Sequence, residues 1–152
     1  GSVDADPGPD ERRLASAGDV DVFLAAYERD GRVRWARAIG GAGRDVGHAV
    51  RVSADGVWAA GLVTGEVELA RGVPASRVAA GGGTDAWVAR FADDGTLAWG
   101  RSVGGAGNDQ VRPGGLALDA AGHVYVGGDF AGTADVEPGA GTTALVSAGQ
   151  SD

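Results

Sequence analysis

Apolar and polar residues alternate along most of this chain with a period of two. In DAWVARF (85–91), Trp87, Ala89 and Phe91 fall on one side of an extended backbone, and in TLAWGRSV (96–103) Leu97, Trp99, Arg101 and Val103 do the same. Successive side chains of a strand point to opposite faces, so this alternation predicts half-buried strands. DDG (93–95) between the two runs reads as a hairpin turn, as does RDG (29–31) further upstream. GLALD (115–119) and HVYVGGDF (123–130) form a second such pair across AAG (120–122). No segment keeps a 3.6-residue apolar stripe through three turns, so essentially no helix is expected. Trp35 and Trp99, on their apolar faces, are expected to be largely buried.

The pattern itself repeats. DVFLAAYERDGRVRWARAIGGAGRD (21–45) aligns without a gap on DAWVARFADDGTLAWGRSVGGAGND (85–109), an offset of 64 residues. Phe23 and Trp87, Tyr27 and Phe91, Trp35 and Trp99, and Arg37 and Arg101 are matched pairs. AVRVSADGVWAAG (49–61) answers GLALDAAGHVYVGG (115–128). The first 21 residues, GSVDADPGPDERRLASAGDVD, answer residues 132–152, GTADVEPGAGTTALVSAGQSD. The chain therefore divides into the end of one repeat (1–20), a unit at 21–84, a unit at 85–151, and the start of another at 152. With both ends inside a repeat and no Met anywhere, it is expected to be a piece of a longer tandem array.

Composition narrows the chemistry. The chain has 152 residues, a formal charge of −8 and no Cys, which excludes disulfides, thiolate nucleophiles and Cys-based zinc sites. All 13 basic residues are Arg, so neither a Schiff-base lysine nor the lysine of a phosphate-binding loop is present. The negative charge, with no basic run, argues against nucleic acid as a partner. No apolar run approaches the roughly 18 residues of a membrane helix, so membrane insertion is not expected. The 29 glycines lack a Gly-x-y period and point to many turns.

Three stretches together carry a family resemblance. They are the aromatic-x-A-x-aromatic…D-G-x-x-x-W…G-G-x-G-x-D run at 85–109, the strand pair at 117–128, and the D-x-x-P-G…S-A-G segments at 4–18 and 135–149. The units resemble the bacterial secreted β-propeller repeats of the seven-bladed (SBBP-type) class. The middle copy departs from it, reading ELARGVPASRVAAGGG (68–83) where the other two have Pro-Gly. The resemblance implies an all-β fold of consecutive antiparallel four-stranded blades of a β-propeller, present across 1–152 as a partial array. In that order AVRVS is the inner strand and LAWGRSV the outer strand of one blade. The chain then holds the outer half of a blade (21–40), a whole blade (48–104) and the inner half of a third (114–130). Each unit exceeds the usual ~40–45 residues by roughly 20. The excess at 64–83 and 131–149 is expected to be an edge hairpin or a long loop. The resemblance also implies an extracellular or cell-surface setting, partners among the remaining blades, and a non-catalytic module for binding or display of a glycan or cell-surface protein. The alternative is part of a propeller enzyme, a polysaccharide-acting hydrolase or a quinone-dependent dehydrogenase. No cofactor is expected.

The candidate sites are few. GGAGNDQVR (104–112) fits the calcium consensus G-G-x-G-x-D-x-U-x, but its other copy has Gly47 at the large apolar position. Copies 64 residues apart are too far apart in sequence to complete one another's sites as tandem copies do. GGAGRD and GGAGND are therefore read as turns, with no metal site. Arg37 and Arg101, on apolar faces beside Trp35 and Trp99, are read as Arg–Asp latches inside each blade, with Asp21, Asp85, Asp152, Asp45 and Asp109 as the recurring acids. Glu66 and Glu68 share a face of a solvated edge. His48 and His123, the only histidines, occupy different places in the repeat. The glycines of turns 40–47 and 104–113 recur, while Arg44 and Asn108, and Val46 and Gln110, differ, with Arg112 in an insertion. Variation on a fixed frame marks Arg44, Asn108, Gln110 and Arg112 as the expected ligand-binding residues. For the enzyme alternative, the unmatched polar residues at one end of the channel are Arg44, His48, Arg112 and Asp129; the mouth opposite the binding turns, with Asp30 and Asp94, is expected to be inert.

Overall fold

The computed structural model describes residues 1–137 and 139–149. Pro138 and Asp152, one part of the Pro-Gly motif and the other the third copy of the recurring aspartate, lie outside the described residues. The chain is all-β and its strand pairing is antiparallel. The strands are β1 (Ser2–Asp4), β2 (Arg13–Ala15), β3 (Val22–Tyr27), β4 (Val33–Gly41), β5 (Val46–Ser53), β6 (Gly56–Val63) and β7 (Glu66–Glu68). They continue as β8 (Arg77–Ala79), β9 (Asp85–Phe91), β10 (Leu97–Gly105), β11 (Gln110–Leu118), β12 (Val124–Asp129), β13 (Thr133–Asp135) and β14 (Ala144–Val146). One 3₁₀ turn, Pro74–Ser76, is the only helical segment among the described residues.

The central sheet is the meander β5-β6-β9-β10, with AVRVS at one edge and LAWGRSV at the other. Before it stands β3-β4, after it β11-β12. None of the sheets closes on itself. The long segments at 64–83 and 131–149 form short hairpins, β7-β8 and β13-β14. Each skips the strand pair just before it and is laddered to the last strand of the pair before that, β4 through Gly40↔Glu68 and Gly41↔Val67 and β10 through Gly104↔Asp135 and Gly105↔Ala134. The repeat is thus kept in register: Phe23↔Ala38 in β3-β4 becomes Trp87↔Ser102 in β9-β10.

The alternation explains the core. Trp87, Ala89 and Phe91 face one way and pack with Ile39, Val67 and Leu69 of the preceding unit. Val88 faces the other way and, with Ala60, packs against Val111 and Leu116 of β11. β6 and β9 are covered on both sides, which is why VWAAGLV is nearly continuous in its apolar character. The hairpins at 29–31 and 93–95 turn on Gly31 (φ 90°) and Gly95 (φ 77°), backbone angles a side chain would strain. Asp30 and Asp94 support them by accepting the N–H of Arg32 (3.1 Å) and Thr96 (2.8 Å).

Three expectations change. Trp35 is buried, but Trp99 is only half-buried. The face shared by Leu97 and Trp99 is broken by a register shift between them: Leu97 packs toward the cluster around Trp87, Trp99 toward the cluster around Val111. A bulge inserts one residue and so reverses the facing of everything beyond it. Nor is Arg37 latched to an aspartate inside its own unit. Its Nε donates to the Gly95 carbonyl (2.8 Å) and its Nη2 to that of Asp94 (3.3 Å), both in the next unit's hairpin. The extended arginine side chain is longer than the ~4.8 Å strand spacing, and its guanidinium finds carbonyls across the sheet boundary.

Candidate functional site

The turns at 41–46 and 105–110 are held by the aspartates of the two GGAG motifs. Asp45 Oδ2 accepts the N–H of Gly41 (2.8 Å) and its Oδ1 that of Thr64 (2.9 Å). Asp109 repeats this, taking Gly105 (2.7 Å) and Ala131 (3.0 Å). Each carboxylate closes its own turn and ties it to the chain leaving the following strand pair. Both side chains are buried. With every oxygen engaged by a backbone N–H, the motif is accounted for as a turn clamp.

A second aspartate stands beside each clamp. Asp85 Oδ2 accepts Gly81 N–H (3.0 Å), and Asp21 Oδ2 accepts Ala17 N–H (2.8 Å) and is paired with Arg71. The Oδ1 atoms of Asp21 and Asp85 are buried without a hydrogen-bond partner. Gly104 has to be glycine here: a Cβ would lie 2.6 Å from Asp109 Oδ2 and 2.6 Å from Asp85 Cγ. Burial pushes the carboxyls of Asp45 and Asp85 above the usual range, and the neighbouring charges of Asp21 and Asp109 push the same way.

The differing side chains project from this frame. At the first pair of the strands after each turn, β5-β6 has Val46 opposite Leu62, whereas β11-β12 has Gln110 opposite Asp129. The Gln110 amide donates to Asp129 Oδ2 at 3.4 Å, and the exposed Arg112 forms an ion pair with the same oxygen. Arg112 lies in a bulge, the register shifting between Val111 and Leu116. His48 lies in the corresponding bulge of β5, between Gly47 and Ala49, and its Nδ1 meets the Val111 carbonyl. Bulges re-aim side chains, and these two bring His48, Gln110, Arg112 and Asp129 to one end of adjacent strands.

Of the four expected binding residues, Gln110 and Arg112 are therefore joined through Asp129. Arg44 and Asn108 are exposed and hold equivalent places, bridged in parallel to Val20 and Thr84. Among the described residues no side-chain bond links them to the other two. Asp129 is the hub, and the signal for it was the paired departure of Val46 and Leu62 to Gln110 and Asp129. Arg71, which reaches Asp21 and the Ala15 carbonyl, has no counterpart in sequence spacing and was not foreseen. Glu66 and Glu68 sit on the edge hairpin, each within 3.3 Å of Arg77. Among the described residues, no cluster of three or more His, Cys, Asp or Glu is placed to hold a metal ion. No family model matches the chain, and no curated protein matches it.

Proposed function

We propose that the chain is a partial β-propeller of the secreted, SBBP-like kind and acts as a non-catalytic extracellular or cell-surface module for binding or display. The stacking of a four-stranded meander between two half-sheets, in the strand order a blade has, supports the architectural part. One observation carries the binding part. A buried scaffold of clamped turns repeats unchanged, and on it the apolar pair Val46–Leu62 is replaced by the polar group Gln110, Asp129 and Arg112. Ligand-facing variation on a fixed frame is how loops acquire function. The ligand, a glycan or a cell-surface protein, meets Gln110 and Arg112 first, with Arg44 and Asn108 on the flanking turns.

A glycan-array screen of the protein and its variants tests this. Gln110→Ala with Arg112→Ala should abolish a positive signal, and Asp30→Ala with Asp94→Ala, at the opposite end, should leave it intact. The reverse pattern would place the site on the wrong face.

A further inference from the structure

The two ends of the described chain are complementary halves. β3-β4 occupies the place in its unit that β9-β10 occupies in the next, but β3 is a sheet edge whereas β9 is paired with β6. The consequence is visible in exposure: Phe23 is 55% and Tyr27 46% exposed, while their counterparts Trp87 and Phe91 are both 0%. At the other end β12, the counterpart of β6, is bonded among the described residues to β11 alone. A cavity of 570 Å³ opens beside it, lined by Val103, Val111, Val124, Val126, Ala134 and Val136. Val103 and Ala134 hold the positions of Ile39 and Val67, two of the residues that enclose the Trp87 indole one unit earlier. One unit earlier the same place is filled by the fully buried Trp87.

We propose that this face binds a second copy of the chain, head to tail, with β3 of the incoming copy pairing along β12 and Phe23 entering the cavity. The register follows from the complete sheet. Gly61↔Trp87, Ala59↔Ala89 and Val57↔Phe91 in β6-β9 become Gly128 opposite Phe23, Val126 opposite Ala25, and Val124 opposite Tyr27. The hairpin of the incoming copy then brings its Arg29, Asp30 and Gly31 carbonyls to Trp99 and Arg101, where Asp93, Asp94 and Gly95 meet Trp35 and Arg37. This is strand addition to an exposed edge, with main-chain bonds supplying affinity and an aromatic pocket supplying register.

The union has one steric condition. Residues 1–18 repeat 132–149, so the incoming copy brings its own version of the β13-β14 hairpin. β13 is laddered to β10, whereas β1-β2, among the described residues, is joined to no third strand and is held by side-chain bonds from Tyr27 to the Ala5 carbonyl and from Arg71 to that of Ala15, so β1-β2 is the hairpin that must be displaced. The contact is heterologous: the 152-residue chain presents one donor edge and one acceptor edge, so association of this chain continues until a ring closes.

Sedimentation of the 152-residue chain across a concentration series should show mass rising above the 15.0 kDa monomer. Phe23→Asp removes the donor and Val126→Asp the acceptor. Both residues are exposed in the single chain, so both variants should keep its melting behaviour. Each should weaken association at least about tenfold, as loss of an interface anchor does. Mixed together they should form a dimer and nothing larger, because only one functional edge of each remains. In the wild type, amides of β3 and β12 should exchange more slowly as concentration rises. A single 15.0 kDa species at every concentration would overturn the proposal and leave the cavity to a further repeat. Association indifferent to both substitutions, or a mixture no better than its parts, would overturn it equally.

Discussion

Trp35 donates its indole N–H to the carbonyl of Asp93 at 2.7 Å, from one repeat unit to the hairpin of the next. The ring is buried, with the backbone of Gly95 against its face. Trp99, its counterpart, is half-buried and tilts against Trp58 with ring centroids 5.9 Å apart. Equal sequence positions therefore carry unequal energies. Trp35→Ala should lower stability by about 3–5 kcal/mol, the range for truncating a buried aromatic. Trp99→Ala should cost clearly less, and chemical denaturation of the two variants side by side checks the order.

Stability should depend on pH in an unusual direction. Asp45 and Asp85 have carboxyls pushed up by burial, so the folded state binds their protons more tightly than the unfolded state does. Their contribution is full below the unfolded carboxyl range near ~3.9 and is lost as pH rises through their higher folded values. The exposed Asp4, Asp30 and Asp94 and the half-buried Asp135 are shifted down by backbone or side-chain hydrogen bonds and act oppositely, losing stability only as pH falls below that range. Above about pH 4 the raised pair should set the slope. Melting temperature should fall from mildly acidic to neutral pH, and Asp85→Asn should flatten the fall.

Asp109→Asn should do the reverse of Asp85→Asn at neutral pH. Both Asp109 oxygens accept backbone N–H groups, so an amide nitrogen at either place sets donor against donor. An unsatisfied buried polar group costs about 1–3 kcal/mol, and urea midpoints of the two variants should move in opposite directions.

Calcium should leave the fold unchanged. The same two hydrogen bonds occupy the carboxylate that the G-G-x-G-x-D motif would offer a cation. A site filled at 100 times its dissociation constant would add about 2.7 kcal/mol, easily seen as a rise in melting temperature on replacing chelator with calcium. A rise abolished by Asp109→Ala would overturn the turn reading.

Gly105→Ala should detach the β13-β14 hairpin, because the new Cβ would stand 2.0 Å from the Thr133 carbonyl oxygen. Gly31→Ala meets open space and adds only the strain of a positive φ, about 1 kcal/mol. Amide exchange in residues 133–146 should rise in the first variant and stay unchanged in the second.

Much of this was legible in the sequence, for a physical reason. Trp87, Ala89 and Phe91 announce their shared face because strand periodicity is local, and Asp30-Gly31 and Asp94-Gly95 announce turns because turn chemistry is local. What escaped was set by neighbours. The different fates of Trp35 and Trp99 depend on what lies across the sheet boundary, 58 residues along the chain for Trp35. Arg37 looked for an acid and found carbonyls. The bulges at 47–49 and 111–116, which gather His48 and Arg112, insert one extra residue in β5 and three in β11, slips that alternation does not record. The Gln110–Asp129 pair was half visible: Gln110 stood out in the alignment, but its partner needed the register.

Arg37 and Trp35 direct their hydrogen bonds across the seam to the main chain of residues 93–95. A joint of that kind is blind to the identity of what it holds, provided the hairpin keeps its shape. Units joined this way are interchangeable parts. They can be duplicated, reordered or exchanged between genes without redesigning the seam, and their outward residues can drift independently. A lineage built on such a joint would be expected to vary fastest in copy number and in surface chemistry, and slowest at a glycine and a tryptophan.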